Sequence, residues 1–451
     1  MAKYYISCNR KQAYLLPPSI DEWLDKGHLA RFIVEVVDTL NLSEIHKQYT
    51  GTGGSDAYDP RVLLSLLFYG YATGTFSSRK IERATYDSVA FRYIAANSHP
   101  DHDTIATFRK RFLPQLEILF VEILLISKEA GLLKVGKVSL DGTKVKANAS
   151  KHKALSYAHA DKLQKQLEAE VKTLMQKANE ADDSDENDGM NIPDEIARRE
   201  DRLEVIKEAK AKIEQRASER YEKEKALYDE KVKKRKEKAK LTGKKIRGKI
   251  PKAPNKEPKP TDQINLTDEE SRMMKTSGGG FEQCYNAQAS VEHDSRLIVH
   301  QHLTQNINDK QEIVPTFQWF AKYPKLKPSS ILADTGYFSE ANINSCEAQK
   351  IIPYISFGKE KHNQPLEERF KKEEPLPDNP TAVEKMKHRL QTKEGKAIYA
   401  QRKSTVETTF GIIKHIMGFR QFMLRGLEKV KGEWNLVCIA YNLKRLHTIM
   451  G

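Results

Sequence analysis

The stretch KVSLDGTKVKANAS, residues 137–150, decides the fold. Upstream of it, apolar residues recur every three or four positions. Inside it, Val138 and Leu140 alternate with polar neighbours and lead into Asp141-Gly142-Thr143, which reads as a short strand ending in a turn. A chain that has been helical begins a sheet here, so the fold class is α/β.

Working outward, WLDKGHLARFIVEVVDTL and PQLEILFVEILLISKEAGLL place residues from about 18 to 134 in helices, and Pro60 suits the first turn of a helix through Leu63, Leu64, Leu66 and Leu67. Downstream, strands are expected at residues 285–292, 296–304 and 330–334. Helices are expected at about 311–321, after Thr335-Gly336-Tyr337, and at the C-terminus. Between the first and second strands the chain turns polar. Ala160, Leu167, Val171, Leu174 and Ala178 fall at coiled-coil-like spacing, an acidic break follows at 180–189, and a second helix spans about 193–240. Ile196, Leu203, Ile206 and Ile213 continue the apolar seam, while Arg199 and Lys210 interrupt it. Two antiparallel helices joined by an acidic loop are expected. The basic, proline-containing run at 241–260 is expected to be disordered, either as a solvated linker or as an arm that orders on a phosphate backbone.

With 451 residues, two or three structural units are expected. The net charge of +14 and a pI near 9.2 favour a polyanionic partner. Cys8, Cys284, Cys346 and Cys438 are too scattered for a zinc site or a disulfide framework. The apolar stretches are too short or too interrupted to span a bilayer, so a cytoplasmic protein without a membrane partner is expected. GTGGSD (51–56) and SGGGF (277–281) lack the lysine and hydroxyl of a phosphate-binding loop and read as turns, so no nucleotide cofactor is expected.

Three acids stand out by position: Asp141 and Asp334 at strand ends, and Glu407 on a helix. An isolated strand-end Asp is more often a turn or cap residue than a ligand. Their flanks carry a resemblance to the DDE transposases of bacterial insertion sequences. The matching pieces, in order, are PDHDTIATFRKRF (100–112), VSLDGTKVKANAS (138–150), NLTDEESRMMKTSGGGFEQCYNAQASV (265–291), ADTGYFSE (333–340), RKSTVETTFGIIKHIMGFRQFMLRG (402–426) and EWNLVCIAYNLKRL (433–446).

The resemblance implies an RNase H-like mixed-sheet core with an all-helical N-terminal domain and a long helical-hairpin insertion. Its boundaries are a helical DNA-binding domain over 1–134, the first part of the catalytic core over 135–150, the insertion with its basic tail over 151–260, and the rest of the core over 261–451. It also implies catalytic and metal-holding roles for Asp141, Asp334 and Glu407 with two Mg²⁺ ions, Mn²⁺ being a substitute. Asp141 would serve both ions and the other two acids one each. Carboxylate oxygens suit such a cation and leave the cysteines no role. The implied substrates are double-stranded DNA at the element ends and in the target, handled by a homodimer associated with the bacterial nucleoid. A non-catalytic DNA-binding or assembly protein derived from such an enzyme, and a simple metal-dependent endonuclease, are the competing readings.

Around Glu407, Val406, Phe410, Ile413 and Met417 form an apolar stripe of a packed helix. Lys403, Gly411 and Lys414 share a face with Glu407 at α-helical spacing. Cations so placed ordinarily make surface salt bridges. The family's Tyr-Arg-Glu-Lys signature is matched by Tyr399, Arg402, Glu407 and Lys414, with four residues instead of three between Arg402 and Glu407. Lys403 has the usual offset, so the basic partner is either Arg402 or Lys403. Arg79, Lys80 and Arg83, and Arg109, Lys110 and Arg111, form either solvated faces or contacts to the phosphates of the terminal repeats. Asn286 and Gln288 share a strand face with Cys284 and Ser290, and either face solvent or line the active-site edge where DNA lies.

Overall fold

A computed structural model of the chain describes residues 19–49, 57–182, 192–242, 251–276, 278–358 and 375–451. The GTGGSD turn, Cys8, most of the acidic break and residues 243–250 of the basic run lie outside these. The chain divides into two compact units, residues 1–147 with 284–451, and residues 148–283.

The first unit is built on a mixed sheet. Strand β1 (Lys137–Lys146) is followed, after two short strands of the second unit, β2 (Ala154–Ser156) and β3 (Gln263–Asn265), and β4 (Arg272–Lys275), by β5 (Phe281–Glu292), β6 (Ile298–Thr304), β7 (Ser330–Ala333) and β8 (Ile352–Ile355). Across the core the order is β6-β5-β1-β7-β8. β5 runs antiparallel to β6 and β1, and β7 and β8 continue parallel to β1. This is the mixed α/β sheet the sequence predicts. One expectation is corrected: β1 does not end at Asp141 but continues to Lys146, because β5 pairs it from Val138↔Glu292 to Lys146↔Cys284 and satisfies the backbone throughout.

The N-terminal helices, expected as a domain over 1–134, share this compact unit with the sheet. The helix Pro60–Ala72 is buried almost all round, which is why its apolar residues show no single stripe. Its Tyr71 hydroxyl donates to Glu433 Oε1 at 2.8 Å, and Arg109 Nη1 donates to the same hydroxyl at 3.0 Å. Glu433 lies on the C-terminal helix Leu427–Met450 and also accepts from the Met423 and Leu424 amides at 2.9 Å each. That helix is tied to the sheet by Asn442, whose amide accepts from Ile298 N and donates to Ile298 O, both at 2.8 Å.

The second unit holds the helical hairpin Tyr157–Asp182 and Ile192–Thr242. Leu167, Leu203, Ile206 and Ile213 pack together in its seam. The two cations that interrupt the apolar pattern are paired across it: Arg199 with Glu170 at 3.0 Å and Lys210 with Asp161 at 2.6 Å. Arg220 forks onto both oxygens of Asp262 at 2.9 and 2.8 Å. Past Arg220 the helix runs on to Thr242, about 33 Å at the helical rise, and none of its described side chains there is buried. No described helix is long and apolar enough to cross a membrane.

Candidate active site

Asp141 and Gly142 illustrate how β1 builds two environments from alternate faces. Gly142 pairs with Gln288, and a Cβ on it would stand 2.1 Å from Gln288 Nε2, 2.6 Å from Asp309 Oδ1 and 2.8 Å from Asn286 Oδ1. The glycine is required by this close approach rather than by a turn. Asp141 points to the other face. Asp334 follows β7 and caps the 3-10 turn Thr335–Tyr337, accepting from the Gly336 amide at 2.8 Å. β1 and β7 are adjacent and parallel, with Ser139 beside Leu332; Asp141 and Asp334 each follow two residues beyond that pair, near enough for the charge of Asp334 to act on Asp141.

The third acid arrives on a continuous helical run made of Lys393–Arg402, the π-helical turn Lys403–Glu407, Thr408–Gly411 and a second π-helical turn Ile412–Ile416. Val406, Phe410, Ile413 and Met417 are all buried, as the stripe predicts. The wide turn at 403–407 absorbs the additional residue between Arg402 and Glu407. With i→i+5 bonding, residues five apart align, and such turns concentrate at functional sites. Arg402 Nη1 donates to Asp141 Oδ2 at 3.0 Å and Nη2 donates to Glu407 Oε1 at 3.1 Å. Lys403, four before Glu407, is exposed. The α-helical alignment expected for Lys403 is therefore corrected, because the turn is not α-helical. Lys414 donates to Thr143 Oγ1 and, at 3.0 Å, to the Lys144 carbonyl, so it stands against β1 just past Asp141.

Burial pushes the Asp141 carboxyl up to about 6; Arg402 opposes the rise and Asp334 adds to it. For Arg402, burial disfavours the charge, but Asp141, Tyr399, Glu407 and Asp334 together hold it above its ordinary value. The Lys414 ammonium is lowered, chiefly by burial, with Lys144 adding to the effect. Two carboxylates thus share one guanidinium, and the charge of Asp334 acts on it as well. Among the described residues no group of three or more His, Cys, Asp or Glu side chains is already gathered as a metal site, and Arg402 bridges two of the acids. The donors themselves fit a hard divalent cation: all are carboxylate oxygens, and the charge of Asp334 adds to the cost of ionising Asp141.

The remaining residues proposed from sequence separate into outer and inner positions. Arg79, Lys80, Arg83, Lys110 and Arg111 are exposed. Arg83 pairs with Asp87 at 3.1 Å, and Arg111 lies over the rings of Tyr49 and Phe112. Arg109 is a correction: it is buried, donating to Tyr71 and to the Phe76 carbonyl at 2.9 Å, and so has no surface to offer DNA. Asn286 and Gln288 are corrected likewise, being fully buried and bonded inward to Asp309 at 2.6 Å each. Asp309, Tyr337 and Lys144 belong to this inner network and were not singled out from sequence. Asp309 lies in a polar loop whose composition carries no periodic signal.

Residues 255–443 match the family model described as "Transposase DDE domain", and residues 18–111 match one described as "Transposase domain (DUF772)". The DDE match spans Asp334, Arg402, Glu407 and Lys414 but not Asp141. It implies an RNase H-like fold, in agreement with the order and direction of the strands. No curated protein and no solved structure matches the chain.

Proposed function

We propose that this chain, which carries a transposase DDE domain and a second transposase domain typical of bacterial insertion sequences, binds the terminal repeats of its element, cleaves DNA there and joins the freed 3′ ends to a target duplex. The observation that carries this reading is Arg402 bonded to both Asp141 and Glu407, from a strand and a helix, with the charge of Asp334 acting on Asp141 and Arg402. The family generally depends on a divalent metal. Asp141, Asp334 and Glu407 are the residues that would hold it, as two Mg²⁺ ions or Mn²⁺ in their place, supplying neutralisation of phosphate charge and a more acidic attacking hydroxyl.

The chain's own groups account for orientation. Water attacks the phosphorus at the element end, the bond to the 3′ oxygen breaks, and that oxygen leaves as a 3′-hydroxyl. The hydroxyl then attacks a target phosphodiester, exchanging one P–O bond for another with no external energy source. Lys414, with its ammonium held against Thr143, would neutralise the flanking phosphate. Its bonds to both acids favour Arg402 over Lys403 as the basic partner, and its planar fork suits a phosphate once the carboxylates engage a cation. Exposed Arg79, Lys80, Arg83, Lys110 and Arg111 are proposed to contact the phosphates of the repeats, and a homodimer to hold two ends for concerted joining.

Purified protein incubated with Mg²⁺, a labelled element end and a plasmid target tests the reading. Cleaved ends and joined products are expected, and Asp141→Ala should bind the end while making neither. Cutting without any joined product would reduce the protein to an endonuclease. Binding without cutting by the unmodified chain would make it a DNA-binding or assembly protein.

A further inference from the structure

We propose that Asp309 is a positioning residue for the catalytic acids, acting through Gln288 and Tyr337; the proposal rests on the transposase reading above. Asp309 Oδ1 accepts from Asn286 Nδ2 and from Gln288 Nε2, both at 2.6 Å. Both amides thus turn their NH₂ ends toward the one carboxylate oxygen. The second Gln288 hydrogen goes to Asn286 Oδ1 at 3.1 Å and the second Asn286 hydrogen to the Asn306 carbonyl at 3.1 Å, leaving neither amide free to flip. Gln288 Oε1 is thereby committed to accept the Tyr337 hydroxyl.

Both ends of this chain of bonds reach the catalytic acids. Tyr337 is fully buried and closes the short turn that Asp334 caps, with its own amide donating to the Asp334 carbonyl at 3.2 Å. Gln288 presses on Gly142, the residue after Asp141. Asn342 reinforces the link by donating to the Lys310 carbonyl at 2.8 Å and the Tyr337 carbonyl at 2.7 Å, which ties the Asp309 loop to the same turn. One carboxylate therefore sets the direction of the side-chain bonds that run from Asn286 and Gln288 to the turn that presents Asp334. Asp309→Asn keeps the shape but can donate, which lets Gln288 reverse and meet the Tyr337 hydroxyl with its NH₂ end.

The test uses full-length protein with Asp309→Asn, Tyr337→Phe and the double variant. Each is scored for end binding, Mg²⁺-dependent cleavage rate, melting temperature and the NMR signal of the Tyr337 hydroxyl proton, identified by its loss in Tyr337→Phe. Asp309→Asn is expected to bind ends as the unmodified chain does and to melt within a few degrees of it. It should cleave about ten- to a hundredfold more slowly, as small misplacements of reacting groups do, and its hydroxyl signal should shift or vanish. The double variant should be no slower than the worse single one. Cleavage at the unmodified rate, an unchanged hydroxyl signal, or losses that merely follow the unfolded fraction would overturn the proposal. If the unmodified chain binds ends without cutting, the transposase reading fails, and the hydroxyl signal alone decides whether Asp309 sets the network.

Discussion

Asp141 is held in a setting that disfavours its charge. An aspartate in the unfolded chain titrates near ~4, whereas burial and Asp334 hold Asp141 up to about 6. Between these values the folded state keeps a proton that the unfolded state has lost, so metal-free stability should fall as pH rises from about 4 to about 6 and stay level above that. The penalty is on the order of 1–3 kcal/mol at neutral pH. Asp141→Asn removes it, and its melting temperature at pH 7 without metal is expected to exceed that of the unmodified protein, while at pH 4 the two should converge. A variant no more stable at pH 7 would contradict the assigned burial. From sequence, Asp141 and Asp334 could be chosen by their flanks, but burial and mutual charge are properties of the assembled site.

The helical run 393–416 and the long helix Ile192–Thr242 make their own predictions at the level of elements. A π-helical turn holds one residue more than an α-helical one without disturbing the helix on either side. Deleting Ser404 should therefore restore an α-helical turn with the arginine four residues before the glutamate, and cleavage activity should survive. Arg402→Ala should lower the cleavage rate at least about a hundredfold, within the range for loss of a positioned charge-stabilising donor, and Lys403→Ala should leave it nearly unchanged. The reverse ranking would return the role to Lys403. The sequence exposed the irregular spacing but not its resolution, since one extra residue can slide a helix, kink it or widen a turn, and the folded chain widens the turn while keeping Val406 and Phe410 buried.

In the second unit, residues 231–240 carry seven Lys or Arg against one Glu on a stretch without buried side chains among those described. The cations surround the helix and leave no apolar stripe, which fits a nucleic-acid groove better than a lipid surface or a coiled-coil partner. Changing Lys233, Lys236 and Lys240 to Gln should flatten the dependence of log affinity on log salt by roughly 0.9 for each phosphate that is no longer neutralised. An unchanged slope would leave this helix end out of DNA binding.

Across the first unit, the helical N-terminal segment and the sheet are joined through Glu433, Tyr71 and Arg109. Burial raises the Glu433 carboxyl, opposed by the amides of Leu424 and Met423, Tyr71 and Arg109. Glu433→Ala strips a partner from each of them and should cost about 3–5 kcal/mol, the range for breaking a buried polar network from one side. Chemical denaturation would measure it, and a loss under about 1 kcal/mol, the scale of an ordinary surface change, would show that apolar packing alone holds the helices to the sheet. Periodicity in the sequence determined that this chain is helical before residue 137, α/β after it and interrupted by a helical hairpin, because burial of one face imposes a repeat that can be read locally. Ordered motifs pointed to the family and nominated three acids. Only the tertiary structure set Arg402 and not Lys403 against Asp141 and Glu407, and Asp309, Asn286, Gln288 and Arg109 in the interior. Those outcomes depend on strand register and on side chains that meet from positions distant in sequence, for which a single chain carries no local pattern.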